Sequence, residues 1–313
     1  MELIAEFCQN HNGDISLLNE MVYQAKEAGC HYAKIQSISP DMLTFRERFE
    51  EGHSRGGKTL SIKRPYLQEK NRLQGLELTM DQQADFVELC NKVGIKPLTT
   101  AFTRRSITEI REVGFKEIKI ASYDCASLPL LRDARANFER VIVSTGATYD
   151  PEIEAAAKVL EGSEYSFLHC VTIYPTPLSE YHLARMKYLR TFTNSVGWSD
   201  HSLYKRDGIM GTIAAIYYGA QVIERHFTII DRDATRDGPV SIDASDAKKI
   251  LELSNLTKED LHLYLKQEFP NFHVTIGSLD RTLTEQEILN RDYYRGRFAT
   301  PIGNGLYKFN WLD

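Results

Sequence analysis

Lys96-Pro97-Leu98-Thr99-Thr100-Ala101, the amphipathic run Arg104–Val113, Gly114, and then Glu117-Ile118-Lys119-Ile120-Ala121 make up the stretch on which the fold turns. A short apolar run, a helix-length amphipathic segment, a glycine able to form a left-handed stop and a second apolar run spell one strand–helix–strand unit. The unit repeats in both directions. Strands are expected at Leu3–Cys8, His31–Gln36, Lys96–Ala101, Glu117–Ala121, Arg140–Ser144, Tyr165–Val171, Ser195–Trp198 and Gln221–Phe227. The clearest helices are expected over Ser16–Ala28, Met80–Val93, Arg104–Val113, Pro151–Leu160, Leu178–Leu189, Leu203–Tyr218 and Ala244–Leu265. Asp14, Thr79 and the Asp150-Pro151-Glu152 sequence are start signals. Gly29, Gly94, Gly114 and Gly219 are the matching stops.

Eight such units in one run predict an α/β protein with the closed (β/α)8 TIM-barrel architecture. A doubly wound open sheet is the rival, and it has little use for an eighth unit. The barrel is expected over residues 1–265, with a long polar insertion, Ser37–Thr79, after the second strand. That insertion holds the basic run Lys58-Thr59-Leu60-Ser61-Ile62-Lys63-Arg64. Residues 266–313 form a C-terminal extension with few apolar residues in register.

Composition narrows the class. Of 313 residues, 42% are hydrophobic and 26% charged, the balance of a globular chain and not of a disordered one. Lys and Arg number 38 against 43 Asp and Glu, a net charge of −5, which argues against coating a nucleic acid. No apolar run approaches the roughly 18 residues of a membrane span. The N-terminus lacks a basic segment, so no signal peptide is expected. The five cysteines are odd in number and include no Cys-x-x-Cys pair, so neither a disulfide framework nor a thiolate zinc site is expected. The expected setting is a reducing cytoplasm.

In a barrel of this kind the C-terminal strand ends build the site. Those ends carry Glu6, Lys34, Gln36, Lys119, Ser122, Asp124, Ser144, Tyr174, Ser199, Asp200, His201, Glu224 and His226. A lysine inside an apolar strand is costly unless an anion meets it. Lys34 and Lys119 therefore predict an anionic ligand, and Ser122, Ser144 and Ser199 add small donors for its oxygens. His201 and His226, with Glu6, Glu224 and Asp200 nearby, can hold a divalent cation with open positions. Oxygen-rich surroundings favour Mn2+ or Fe2+ over a closed zinc site. Plainer readings stand beside these. A lysine at a strand end is often paired structurally. His169, mid-strand, reads as a satisfied core histidine, and Cys8 and Cys170 as small barrel-lining residues. Ser54–Lys58 is either a solvated loop or one that closes over substrate.

The residues also resemble a known family. Ile4-Ala5-Glu6 with Asn10-His11-Asn12-Gly13-Asp14 is similar to the opening motif of the sialic acid synthases, including those for legionaminic and pseudaminic acids. Further blocks agree in order: Ala33-Lys34-Ile35-Gln36, Leu76-Glu77-Leu78-Thr79, Lys119-Ile120-Ala121-Ser122, Val143-Ser144-Thr145-Gly146, His169-Cys170, Tyr174-Pro175-Thr176-Pro177, Gly197-Trp198-Ser199-Asp200-His201-Ser202 and Val222-Ile223-Glu224-Arg225-His226-Phe227-Thr228. They extend from residue 4 to about 241.

The resemblance implies a barrel that condenses phosphoenolpyruvate with an aldose to a 3-deoxy-2-ulosonic acid and phosphate. By position it implies phosphoenolpyruvate binding by Lys34, Lys119, Ser122, Ser144 and Ser199, metal ligation by His201 and His226, and sugar contacts from Gln36 and Tyr174. It also implies a carboxylate at Glu6 that moves a proton or orients water, with Asp124 a second choice. The expected cofactor is a divalent metal, Mn2+ first, and the expected assembly a homodimer.

Four departures bear on the sugar and its cover. Asp124 replaces the family's Glu, Thr172 replaces its Asn, and Gly238-Pro239-Val240 replaces Gly-Pro-Asp. The family also continues into a small antifreeze-like domain of about 60 residues, which is not expected within the residues up to Asp313. The expectation is a preserved reaction with a non-standard acceptor, gripped by Arg236, Asp237, Thr172, the Lys58–Arg64 run and Arg295 or Arg297. Several of these are cationic, which favours an acceptor bearing a phosphate or carboxylate, or else a simpler aldose held chiefly by the metal. Two alternatives stand: a silent binding homologue, and a Schiff-base aldolase using Lys34 or Lys119, against which the histidine pair and serine set argue.

Overall fold

The structure, a computed structural model, describes residues 1–313. Eight parallel strands close into a barrel in chain order. They are β1 (Glu2–Glu6), β2 (Tyr32–Ser37), β3 (Lys96–Ala101), β4 (Glu117–Ile120), β5 (Arg140–Ser144), β6 (Glu164–His169), β7 (Val196–Asp200) and β8 (Val222–His226). Each predicted strand coincides with an observed one within two residues, and the expected (β/α)8 barrel is what forms.

The period of two along each strand sorts the side chains. Outward residues such as Ala5, Ile35, Ile118, Val141, Phe167, Trp198 and Ile223 belong to the large core shared with the helices. Inward residues form layers along the barrel axis. Ile4, Tyr32, Leu98, Ile142, Leu168 and Val222 make a dry middle layer. Gly197 belongs to the same level, and a Cβ there would collide with the Val222 carbonyl and the Leu168 side chain, so only glycine fits. Below, Arg140 ties the barrel floor together through Glu2, Ser166 and the Tyr32 hydroxyl. Two residues above the dry layer stand Glu6, Lys34, Ser144 and Glu224, all buried. The site is thus a polar layer seated on an apolar plug.

The helices follow the predicted starts and stops closely where caps are strong. Asp14 accepts from the Ser16 and Leu17 N–H groups at the start of Ile15–Glu27, and Thr79 forms a capping box with Gln82. Gly94 and Gly114 stop their helices with φ of +79° and +112°. Three long predicted helices are broken instead. Leu178–Leu189 holds only a helical turn and the short helix Arg185–Leu189. Leu203–Tyr218 splits at Gly208, whose φ is +52°. Ala244–Leu265 is two helices, Ala244–Ser254 and Lys258–Glu268, the second capped by Thr257. Helices Tyr66–Gln74 and Leu128–Asn137 were not among those expected. No helix is long and apolar enough to cross a membrane.

The insertion and the tail fold on each other over the C-terminal end of the barrel. The tail forms the helix Glu285–Tyr294 and a hairpin of Thr300–Gly303 with Leu306–Lys308. Leu43 bridges to Phe298, Thr44 donates to the Gly296 carbonyl at 2.7 Å, and Arg46 donates to the Tyr293 carbonyl at 2.6 Å. Phe298 and Ala299 are buried there, so the tail does carry apolar anchors.

Candidate active site

Strand register brings the chemistry-bearing residues together. Glu6 pairs with Lys34 on one side and with His226 on the other, and Ser199 pairs with Glu224. Residues paired across parallel strands face the same way, so these side chains converge in the barrel mouth. The Lys34 ammonium makes an ion pair with Glu6 and lies 3.7 Å from Glu224. Lys119 donates to Ser144 Oγ at 2.7 Å and to Glu224 Oε1 at 3.3 Å. Ser199 Oγ donates to Glu224 Oε1 at 2.9 Å. Glu224 is therefore the hub joining both lysines. Its carboxyl is held well below the usual carboxylate range, because the Lys119 and Lys34 charges and the Ser199 hydroxyl outweigh the cost of its burial. Burial pushes the Lys34 ammonium down to about 7; Glu224 opposes this and the Lys119 charge adds to it.

Ser122 lies at the same mouth, where its Oγ accepts from the Gly146 N–H at 3.2 Å and sits 3.0 Å from Cys170 Sγ. A Cβ on Gly146 would come within 2.6 Å of that sulfur, so the backbone approaches here only because the residue is glycine. Gln36 is half-buried, one step further out on β2 than Lys34. The His201 and His226 rings are 5.4 Å apart, and Tyr174 leans on His201 at 4.2 Å.

Several polar atoms at this mouth are buried without a hydrogen-bond partner: Nδ1 of His201 and of His226, Glu224 Oε2, Thr172 Oγ1 and the Tyr123 hydroxyl. Buried polar groups are normally satisfied, so a cluster of orphans marks a place where a ligand completes the bonding. Burial also keeps both imidazoles neutral, with pKa values below the usual range, as a metal requires. The donor set fits a divalent cation.

Four expectations change here. Asp200 is not in the mouth. It stands between Ser199 and His201 and so points outward, into a fully buried pair with Arg225 at 2.6 Å, where Tyr181 and Thr212 also donate to it. Asp124 is not joined to the lysine cluster. It lies in a helical turn after β4, and its Oδ1 accepts from Ser127 Oγ and from Asn310 of the tail, both at 2.9 Å. Burial raises its carboxyl to about 6. The tail cations expected at the sugar have carboxylate partners: Arg297 pairs with Glu69, and Arg295 with Glu152 at 3.4 Å. In the insertion, Lys58 pairs with Glu285 at 2.6 Å and Lys63 with Glu51 at 2.5 Å. The buried Arg297–Glu69 pair ties the tail to the insertion, whereas the Lys58 and Lys63 pairs are exposed. Arg236 is exposed on the loop after β8, and Asp237 next to it turns towards His226 and Cys8. His169 is the core histidine expected, its Nε2 2.8 Å from the Tyr181 carbonyl.

Sequence reading missed three contributors. Glu224 was weighed only as a neighbour of the metal, although its position two residues before His226 puts both on one face. Tyr123 stacks on Tyr294 of the tail at 4.9 Å, and Asn290 of the tail donates to the Thr172 carbonyl at 2.6 Å. No local signal pointed to these last two.

Comparison with known proteins agrees with this geometry. The NeuB family model matches residues 21–261. The N,N'-diacetyllegionaminic acid synthase of Campylobacter jejuni is 30% identical, over 88% of this chain and 83% of that protein. The N-acetylneuraminate-9-phosphate synthase of Drosophila melanogaster is 28% identical, over 79% of this chain and 65% of its own length. The solved N-acetylneuraminic acid synthetase of Leptospira borgpetersenii superposes with a TM-score of 0.70 at 26% identity, covering 92% of this chain and 90% of that one. With its barrel, its buried lysine pair and these relatives, the chain is a sialic acid synthase-like enzyme and belongs to the NeuB family.

Proposed function

We propose that the protein condenses phosphoenolpyruvate with an aldose to a sialic-acid-like 3-deoxy-2-ulosonic acid and phosphate. The observation that carries this reading is the buried ammonium pair, Lys34 and Lys119, joined through Glu224 beside two histidines with unpartnered nitrogens. Phosphoenolpyruvate has a carboxylate and a phosphate, and two ammoniums with Ser122, Ser144 and Ser199 are their complement. Residues 1–265 would be the catalytic barrel and 266–313 the extension across its mouth. A cytoplasmic setting suits a chain with five free, buried cysteines.

A divalent cation held by His201 and His226, with Mn2+ the first to try, would supply Lewis acidity towards the sugar aldehyde. The protein's own residues do the rest. Lys34 and Lys119 hold the phosphoenolpyruvate anion with its C3 facing the aldehyde carbon. C3 attacks that carbon, the aldehyde oxygen takes a proton, and positive charge develops at C2. Water adds at C2, and the C2–O bond to phosphate then breaks, so phosphate leaves. Glu6, fixed by the Cys8 N–H at 2.6 Å and by Lys34, is the carboxylate suited to orient that water and take its proton.

For the acceptor we infer a simple neutral aldose. Val240 is buried where the family's sugar-binding carboxylate would stand. The nearby cations are neutralised by Glu69, Glu152, Glu285 and Glu51, which leaves Gln36, Thr172, Tyr123 and Tyr174, with Arg236 at the rim. A site lacking a polar contact for which the substrate is built loses a few kcal/mol, about 1–3 per buried group. The test is phosphate release and C–C product formation with Mn2+ across N-acetylmannosamine, neutral aldoses and phosphorylated aldoses, the last included because of the Drosophila relative's product. Neutral aldoses are expected to lead, and N-acetylmannosamine leading would overturn the acceptor assignment. Absence of phosphate release with every sugar in the panel would mark a silent homologue, and borohydride trapping of pyruvate on Lys34 or Lys119 the Schiff-base alternative. We also propose a homodimer of barrels. Light scattering at about 20 μM, where even a weak interface associates, is expected to give twice the chain mass; a monomer there would reject it.

A further inference from the structure

The loops after β1 and β8 bring a third and a fourth metal-ligating group to His226. One ligating atom each from Cys8, His226 and Asp237 lie within 4.8 Å of one another. Ligands about 2.0–2.3 Å from one ion sit about 3–4 Å apart, so small side-chain adjustments bring all three onto a common cation. We propose that Cys8 and Asp237 are ligands of the catalytic cation together with His226 and His201, giving a thiolate-containing site. The inference rests on the reading that a divalent cation is held by the two histidines.

Three observations support it, the first two independently of that reading. First, the two loops are braced so that Cys8 and Asp237 face each other. The buried Asn10 amide donates to the Phe227 carbonyl at 2.8 Å and to Ser241 Oγ at 2.9 Å, and its carbonyl accepts from Thr235 at 2.5 Å. Ser241 Oγ in turn donates to the Asp237 carbonyl at 2.7 Å. Second, Cys8 has a φ of +47°, a left-handed conformation in which a non-glycine side chain is uncommon. Such an outlier is strained, and the surrounding structure holds it where the side chain has a task. Here the conformation turns a buried thiol towards an imidazole and a carboxylate. Third, His226 is only 7% exposed, yet its Nδ1 has no partner. A Cys–His–Asp corner with a second histidine beside it is a mixed soft and hard donor set. It favours Fe2+, Co2+ or Zn2+ over Mn2+ relative to a site of histidines and oxygens alone. On binding, the thiol proton passes to solvent and the sulfur becomes a thiolate donor. Asp237 accordingly serves the cation and not the sugar.

Cobalt reads the ligand set directly, without turnover. The full chain, stripped of metal and kept free of oxygen, is titrated with Co2+ while absorption is followed in the near ultraviolet and the visible. The expected result is one equivalent bound, with thiolate-to-cobalt charge-transfer absorption alongside visible d–d bands. Cys8→Ser should bind Co2+ with the charge-transfer band gone and the d–d bands kept, whereas Cys90→Ser, in the core, should retain both. Asp237→Asn should weaken Co2+ binding at least tenfold. Wild-type d–d bands without charge transfer, or an unchanged band in Cys8→Ser, would overturn the proposal while leaving the histidine site intact. If wild type bound no Co2+ at all, the histidine reading would fall with it.

Discussion

Lys119→Met is expected to weaken phosphoenolpyruvate binding by at least about 30-fold, equivalent to about 2 kcal/mol. Methionine keeps the length and the apolar stem, so the loss isolates the charge. The side chain of Lys119 is only 4% exposed, and its ammonium already meets Ser144 and Glu224. In such a desolvated place a charge-assisted bond to phosphate or carboxylate is worth roughly twice a neutral one. The same titration carries a pH signature. Because the Lys34 ammonium is held down to about 7 in the free enzyme, the free site is increasingly neutral above that pH. The bound trianion favours the protonated form. Binding therefore takes up a proton above about pH 7, and affinity falls by up to about tenfold per pH unit. In Lys119→Met the like charge beside Lys34 is gone, so its pKa rises and proton uptake near pH 8 shrinks. Calorimetry in two buffers of different ionisation heat measures affinity and proton uptake together. Unchanged affinity would reassign Lys119 to structure.

His201→Ala and His226→Ala are each expected to lower kcat by at least about a thousandfold while leaving phosphoenolpyruvate affinity within a few fold. The magnitude follows from several kcal/mol of charge stabilisation at about 1.4 kcal/mol per tenfold in rate. The split between kcat and affinity follows from geometry, since neither ring is bonded to Lys34, Lys119 or Ser144. Turnover with saturating metal and calorimetry with phosphoenolpyruvate measure the two halves. Full activity in a strong chelator, or in both variants, would remove the metal from the mechanism.

Parity along a strand explains which parts of this site were readable from sequence. Lys34 and Gln36 on β2, and Glu224 and His226 on β8, share a face simply by being two apart. Once the strands are placed, their convergence in the mouth follows from barrel closure, and so does the outward turn of Asp200, which parity would have revealed had it been applied to that residue. Asp124 escaped the rule because β4 ends at Ile120 and the chain coils there into a turn.

What the sequence alone determined is the barrel, the lysine pair, the serines and the histidines, because each rests on local facts: apolar runs, caps, left-handed glycines and a spacing of two. What only the tertiary structure decided lies where distant segments meet. The carboxylate partners of Lys58, Arg295 and Arg297, the hold of Asn310 on Asp124, and the meeting of Cys8 with Asp237 all join loops far apart in the chain. Such contacts carry no periodic signal. They arise only when strand closure brings the loops to one end of the barrel, where burial makes each polar group find a partner or await a ligand.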